Sequence, residues 1–184
     1  MRHNQIHNRG HKGAMILPID FPTIETERVF LRLLTMQDSE QVFEHFSDES
    51  VTEFMDIEPC RSIEDAREII QFHLNDTGCR WGLFRKCDHK LLGTCGYHCW
   101  TTEIKSKAEI GFDLSKSYWG KGYMREVLTP VIHFGFIDME LQLIEATVDP
   151  RNVRCSQLLR KLGFVMQGQL ENNLLLFTLQ SPSS

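Results

Sequence analysis

Apolar residues recur along this chain at two spacings. Between Ala108 and Leu114 they alternate, with Ile110, Phe112 and Leu114 on one side and Glu109, Gly111 and Asp113 on the other, which is the period of a strand. From Met124 onward the interval lengthens to three and four residues. Met124, Val127, Leu128, Val131 and Phe134 then form one stripe of a helix. Tyr118-Trp119-Gly120-Lys121-Gly122-Tyr123 lies between, so the chain passes from strand through a glycine-bearing turn into a helix that starts at the glycines. Pro130 falls inside that helix, removes the bond to the Glu126 carbonyl and predicts a bend.

The same reading predicts the other elements. Thr26 to Leu34 is rich in apolar and β-compatible residues and reads as a buried strand. Thr35 with Asp38 marks a helix start, and Val42, Phe43 and Phe46 supply its buried side. Residues 48–60 read as irregular. Ser62 and Asp65 cap a second helix from Ile63 to Asn75, with Ala66, Ile69, Ile70 and either Phe72 or His73 inward. Trp81–Phe84 and Leu91–Tyr97 read as a hairpin, in which Gly93 and Gly96 mark a bulge or a close ligand approach. A strand over Leu143–Val148 ends at Asp149-Pro150. Asn152 then caps a helix that reaches Leu162 and stops at Gly163. Two closing strands, Val165–Gly168 and Leu174–Leu179, are joined by residues 169–173. This order is mixed α/β, with one sheet covered by helices on both faces. The folded domain is expected over residues 16–180, after a leader of residues 1–15 and before a tail of residues 181–184.

A helix that begins at a glycine turn has free N–H groups at its positive end, a device for holding an anion, to which the dipole contributes roughly 0.3–1 kcal/mol. Two phosphate-binding patterns are excluded by spacing. A dinucleotide fingerprint needs glycine where Arg125 stands, and a nucleoside-triphosphate loop needs a Gly-Lys-Ser/Thr ending. The turn instead resembles the pyrophosphate loop of the GNAT acyltransferases, Gln/Arg-x-x-Gly-x-Gly/Ala, running here from Trp119 to Met124 with Gly122 as the central glycine. Trp119 and Met124 depart from that pattern. Two further segments carry the likeness. Ile24 through Asp38 resembles the opening of the ribosomal-protein N-terminal acetyltransferase branch. Asn152 through Phe164 resembles the family's Asn-x-x-Ser/Ala…Gly-Phe helix, with Gly163 eleven residues after Asn152.

The resemblance implies a GNAT fold, a single, mostly antiparallel twisted sheet of about six or seven strands. It implies acetyl-CoA as cosubstrate. Backbone groups of Phe112, Asp113 and Leu114 would pair with the pantetheine arm. The turn from Trp119 through Gly120, Lys121, Gly122 and Tyr123 to Met124 would hold the pyrophosphate, and the Asn152 side chain would contact the coenzyme.

Composition narrows the partners. At 184 residues, 41% hydrophobic and 24% charged, the chain suits one domain with a sizeable core. No apolar run is long enough to span a membrane, and no signal-peptide core opens the chain. The net charge is −5, and the first 14 residues hold three bases and no acid, so the remainder is more acidic still. Nucleic acid is therefore an unexpected partner, while a cationic amine suits an acidic surface. Six scattered cysteines fit a reducing, cytoplasmic compartment better than a disulfide scaffold. Cys95, His98 and Cys99 invite a metal reading, but strand alternation sends His98 to the face opposite both cysteines, and no metal is expected. A monomer or a homodimer is equally compatible with these features.

By resemblance the reaction is direct attack of a neutral amine on the thioester. Reaching the free base at pH 7 costs about 4.6 kcal/mol for a lysine-like amine and about 1.1 kcal/mol for an α-amino group. A protein or peptide N-terminus therefore asks less of a base than a small aliphatic amine such as a polyamine. An amino-sugar acceptor, and a coenzyme A-binding module without turnover, complete the alternatives. Three residues are candidates for the chemistry. Glu109 resembles the general base of lysine-acetylating members, although a carboxylate there could equally attract the amine or face solvent. Glu171 in the closing hairpin is the second acid, and Cys155 could hydrogen-bond the departing sulfur or serve as core filler.

Overall fold

A computed structural model describes residues 21–75, 78–102 and 105–182, so the leader, the domain's first residues and the last two of the tail lie outside it. The strands, in chain order, are β1 (Ile24–Glu25), β2 (Val29–Leu33), β3 (Cys79–Arg85), β4 (Leu91–Thr101), β5 (Lys107–Leu114), β6 (Leu143–Val148), β7 (Val165–Gln169) and β8 (Leu175–Gln180). Alternation marks β5 and β6, whereas β3 and the first part of β4 are buried on both faces. The strands form one sheet in the order β1-β2-β3-β4-β5-β6-β8-β7. Every pairing is antiparallel except β5 with β6, which is parallel. The strand count is eight rather than six or seven. The extra strand is β1, which lies just before the expected first strand: Thr26 turns the chain, its amide donating to the Val29 carbonyl at 2.8 Å, and Ile24–Glu25 pairs back on β2.

The helices are α1 (Ser39–Phe46), α2 (Glu49–Thr52), α3 (Ile63–Asn75), α4 (Tyr123–Ile137) and α5 (Val153–Lys161). Their starts follow the caps. Asp38 closes a capping box with Thr35, and Asp65 accepts from the Ser62 amide at 3.0 Å while Ser62 Oγ accepts from the Asp65 amide at 3.2 Å. The short α2 occupies part of the stretch expected to be irregular, with Asp48 capping it through the Ser50 amide. On α3, Ala66 and Ile70 are buried, whereas Phe72 is 56% exposed and so is not the inward residue.

Apolar packing lies on both faces of the sheet. The α4 stripe, Met124, Val127, Leu128, Val131 and Phe134, is buried with Leu159 of α5 against Leu31, Trp81, Leu83, Tyr97 and Ile144. Full burial of each such side chain is worth about 1.5–3 kcal/mol. On the other face, Val42 and Phe46 of α1 meet Ala66 and Ile70 of α3 over Leu34, Phe84 and Leu91. The helix α4 is continuous through Pro130.

Of the two readings of Gly93 and Gly96, the bulge holds beside Gly93, where the β3–β4 register shifts between Leu83 and Phe84. A side chain at Gly93 would collide with the Asp113 carbonyl, and one at Gly96 with the Cys79 carbonyl, so both positions accommodate neighbouring strands rather than a ligand. Cys99 has φ 52°, in the left-handed region, at an irregularity of the β4–β5 ladder. Alternation therefore fails there, and Cys99 comes to the His98 side instead of the opposite one.

The polar face of β5 carries a buried charge network. Asp113 receives Arg80 Nη2 at 2.6 Å, His45 Nε2 at 2.6 Å and the Thr94 amide at 2.9 Å, while His45 Nδ1 lies 2.8 Å from Ser115 Oγ. Burial alone would push the Asp113 carboxyl up, but His45, Arg80 and Thr94 outweigh it and hold the group well below the usual carboxylate range. Asp113→Ala leaves two basic side chains without their anion and is expected to lower unfolding free energy by about 3–5 kcal/mol, measured by urea unfolding at pH 7. Because the folded-state pKa is depressed, this contribution is complete above the unfolded value of about 3.9 and is lost as pH falls toward the folded one. The wild type should accordingly lose more stability than the variant between pH 5 and pH 2, values that bracket the unfolded carboxylate at about 3.9.

Candidate active site

The site is created by an interrupted pairing. β5 and β6 are joined only at Lys107↔Leu143, Ala108↔Ile144 and Glu109↔Glu145; beyond that rung the strands part. The part of β5 from Ile110 to Leu114 therefore has a strand neighbour on the β4 side alone. In an antiparallel ladder alternate residues turn their backbone groups to the partner strand. Since the Ser115 amide donates to the Leu92 carbonyl at 2.8 Å, Asp113 also faces β4, and Phe112 and Leu114 face the opening. The Asp113 backbone is thus engaged with β4, although the residue still lines the groove. The Leu114 carbonyl is already taken by the Trp119 indole N–H at 2.6 Å, which leaves its amide and the backbone of Phe112 available.

The glycine turn follows directly. Gly120 and Gly122 have φ of 72° and 81°, and Gly122 is the N-cap of α4. These values are open to glycine at little cost. Among the described residues, no acceptor faces the amides of Gly120, Lys121, Gly122, Tyr123, Met124 and Arg125, so a fan of N–H groups points outward at the positive end of the helix. Met124 contributes its amide while its side chain, 7% exposed, is buried in the core.

Arg28 secures this turn from β2. Its Nη1 donates to the Lys121 carbonyl at 3.0 Å, its guanidinium lies 4.1 Å from the Tyr123 ring centroid, and its Nη2 is 2.6 Å from Glu126. Burial works against the Glu126 carboxylate, yet hydrogen bonds from Thr26 and Arg28 outweigh it and lower its pKa. The one acid in the first turn of α4 is thereby neutralised, so it does not oppose an incoming anion.

The helix α5 forms the facing wall. Asn152 Oδ1 accepts from the Cys155 amide at 3.1 Å and so caps the helix, leaving its NH₂ group for a ligand. The Arg154 guanidinium is stacked on the Trp119 ring at 3.8 Å. Cys155 borders the same groove, and burial pushes its thiol up to about 12. Ser50, Val51, Phe54 and Met55, on and just after α2, close the groove, which encloses about 480 Å³. Ser50 Oγ is buried there with no well-formed hydrogen bond among the described residues, the neighbouring Asp48 carboxylate being its electrostatic partner.

Glu109 stands at the rung where the strands part. Its Oε1 accepts from the Thr147 amide at 3.2 Å and from the Thr147 hydroxyl, across the opening, and its Oε2 is 3.6 Å from His98 Nε2. Glu171 does not join it: it is exposed at the tip of the tight β7–β8 turn, where the Leu170 amide donates to the Leu174 carbonyl at 2.8 Å, and it does not border the groove. Of the candidates, the structure gathers Phe112, Asp113, Leu114, Trp119, Gly120, Gly122, Tyr123, Met124, Asn152 and Cys155 around one groove, while Lys121 sits in the same turn and Glu109, like Glu171, is not among the lining residues. Arg28, Arg154 and Ser50 were missed. Arg154 sits two residues past Asn152 and was legible as a cation on the coenzyme-facing helix, whereas nothing local marks Arg28 or Ser50.

An outward fan of amides, an open strand edge and spare cations suit a ligand with a diphosphate and an amide-bearing arm, as acetyl-CoA has. That is the anatomy of an acyl-CoA-dependent transferase. The chain belongs to the GNAT acetyltransferase family: the family model described as "Acetyltransferase (GNAT) domain" matches residues 28–165. It is 36% identical over 154 residues to the uncharacterized N-acetyltransferase YoaA of Bacillus subtilis (strain 168), covering 82% of this chain and 86% of that one. It is 25% identical over 142 residues to the spermidine N(1)-acetyltransferase of Escherichia coli (strain K12), covering 77% and 75%. The crystal structure of ribosomal-protein-S5-alanine acetyltransferase from Vibrio fischeri superposes with a TM-score of 0.72 at 23% identity, covering 87% and 97%, which shows the shared fold. No described helix is long and apolar enough to cross a membrane.

A half-buried thiol whose pKa is raised, as at Cys155, is a poor nucleophile. Brief treatment with iodoacetamide at pH 8 is expected to alkylate the exposed Cys87 and to leave Cys155 unmodified, as read by peptide mass spectrometry.

Proposed function

We propose that this acetyltransferase transfers the acetyl group of acetyl-CoA to the α-amino group of a protein or peptide, with Glu109 receiving the proton the amine sheds. One observation carries the reading: the Glu109 carboxylate lies at the last rung before β5 and β6 part, held by Thr147 through Oε1 and with Oε2 3.6 Å from His98 Nε2. When bound, acetyl-CoA supplies an acyl carbon activated as a thioester. The amides of Gly120 through Arg125 would hold the diphosphate, with Lys121, Arg125 and Arg154 as surrounding cations, and Phe112 would pair its backbone with the pantetheine arm as a partial extra strand. The Asn152 NH₂ would steady the same arm. Cys155, held as a neutral thiol by burial, would present its S–H to the departing sulfur.

The acceptor follows from proton energetics. An α-amine needs only about 1.1 kcal/mol to reach its neutral form at pH 7, within the reach of one carboxylate, whereas an aliphatic amine needs about 4.6 kcal/mol. The distant likeness to an enzyme of ribosomal-protein alanine supports a protein N-terminus, and the likeness to a spermidine enzyme supports a polyamine. The acceptor panel is therefore peptides with free N-termini, spermidine and an amino-sugar, with acetylated product quantified by mass spectrometry. Peptide turnover well above the other two is expected; preference for either small amine overturns the assignment.

Glu109→Gln should lower peptide kcat/KM at pH 7 by about 10²–10⁴-fold, with the deficit shrinking above the α-amine pKa of about 7.8 as the amine deprotonates unaided. An unchanged rate at pH 7 would exclude Glu109 as the base. Gly122→Ala forces a left-handed alanine costing about 1–2 kcal/mol, so coenzyme A binding by calorimetry should weaken about 5- to 30-fold as the turn relaxes away from its anion-holding shape.

A further inference from the structure

Outside the groove, β4 and β5 carry a set of side chains that acetyl transfer does not use together. The ligand atoms of His98, Cys99 and Glu109 all lie within 4.8 Å of one another. We propose that these three residues form a binding site for a zinc ion, with its fourth position open to solvent.

Three features build this site. His98 and Glu109 are direct partners in the β4–β5 ladder, and their facing atoms are 3.6 Å apart, close to the roughly 3.4 Å that separates nitrogen and oxygen ligands around tetrahedral zinc. Cys99 would point away from both in a regular strand, but its φ of 52° brings the sulfur to their side. Gly111 leaves room for the imidazole, since a Cβ there would come within 3.3 Å of His98 Cε1. Thr147 meanwhile holds Glu109 Oε1 and so orients Oε2 toward His98, the outer support that metal-binding carboxylates use. A thiolate, an imidazole and a carboxylate together favour zinc over magnesium or calcium. The nearby cations do not oppose it, because Arg80 is paired with Asp113 and Lys107 with Glu145, at 2.6 and 2.8 Å.

Both readings use Glu109 Oε2, so zinc bound here would take the proposed proton acceptor away from the amine and slow acetyl transfer. The readout is metal binding by the full chain, so its failure leaves the acetyl-transfer reading of the metal-free protein intact, and a wrong acceptor leaves this site intact. Metal-free protein is titrated with cobalt(II), then with zinc. One equivalent should produce a thiolate-to-cobalt charge-transfer band in the near ultraviolet that zinc abolishes. Cys99→Ser should remove the band, and His98→Gln and Glu109→Gln should each weaken binding by at least about 10–100-fold. Cys87→Ser, at an exposed thiol elsewhere, should leave it unchanged. Absence of the band, its survival in Cys99→Ser, or equal affinity in both the His98 and Glu109 variants overturns the site.

Discussion

The structure depends on a sheet that comes apart at one rung. Backbone N–H and C=O groups must find partners, and a strand edge inside a sheet normally finds them along its whole length. Here β5 keeps its β4 ladder and loses its β6 neighbour after Glu109, so the groups of Phe112 and the Leu114 amide face an opening. An edge of this kind is stable only if the strand is held from behind. The Asp113 network does that: its carboxylate binds Arg80 of β3, Thr94 of β4 and His45 of α1, which fixes the strand while the edge toward β6 stays open.

A second constraint concerns charge. Glu126, in the first turn of α4, would favour the helix dipole but repel a diphosphate at the same place. Arg28 resolves the conflict by pairing with Glu126 and gripping the Lys121 carbonyl, so one cation neutralises the acid and sets the turn whose amides point outward. The ion pair is partly exposed, and its worth lies in orientation more than in stability.

Much of this was legible in the chain. The α3 boundaries, the α4 stripe and the Leu143–Val148 strand followed from periodicity and caps, because each is determined by residues close in sequence. What escaped depends on distant partners. The Thr26 and Arg28 bonds to Glu126 join residues about a hundred positions apart, and the left-handed Cys99 obeys the ladder irregularity rather than its own propensity. Glu171 is an acid in the closing hairpin by sequence, but the length of the turn, set by the Leu170–Leu174 bond, leaves it exposed away from the groove.

The two departures from the family's phosphate loop acquire physical reasons in this arrangement. A methionine in place of Gly or Ala at 124 would obstruct the loop only if its side chain shared the ligand's side. In the first turn of α4 the amide points outward while the side chain packs inward, so the core absorbs the added volume. Trp119, where a Gln or Arg is usual, gives up a polar side chain, but its indole bonds the Leu114 carbonyl and its ring carries Arg154. A cation–π contact worth about 0.5–2 kcal/mol thus restores a guanidinium to the loop from the opposite helix. The substitution exchanges a local cation for one supplied by α5, and it ties the two walls of the groove together in doing so.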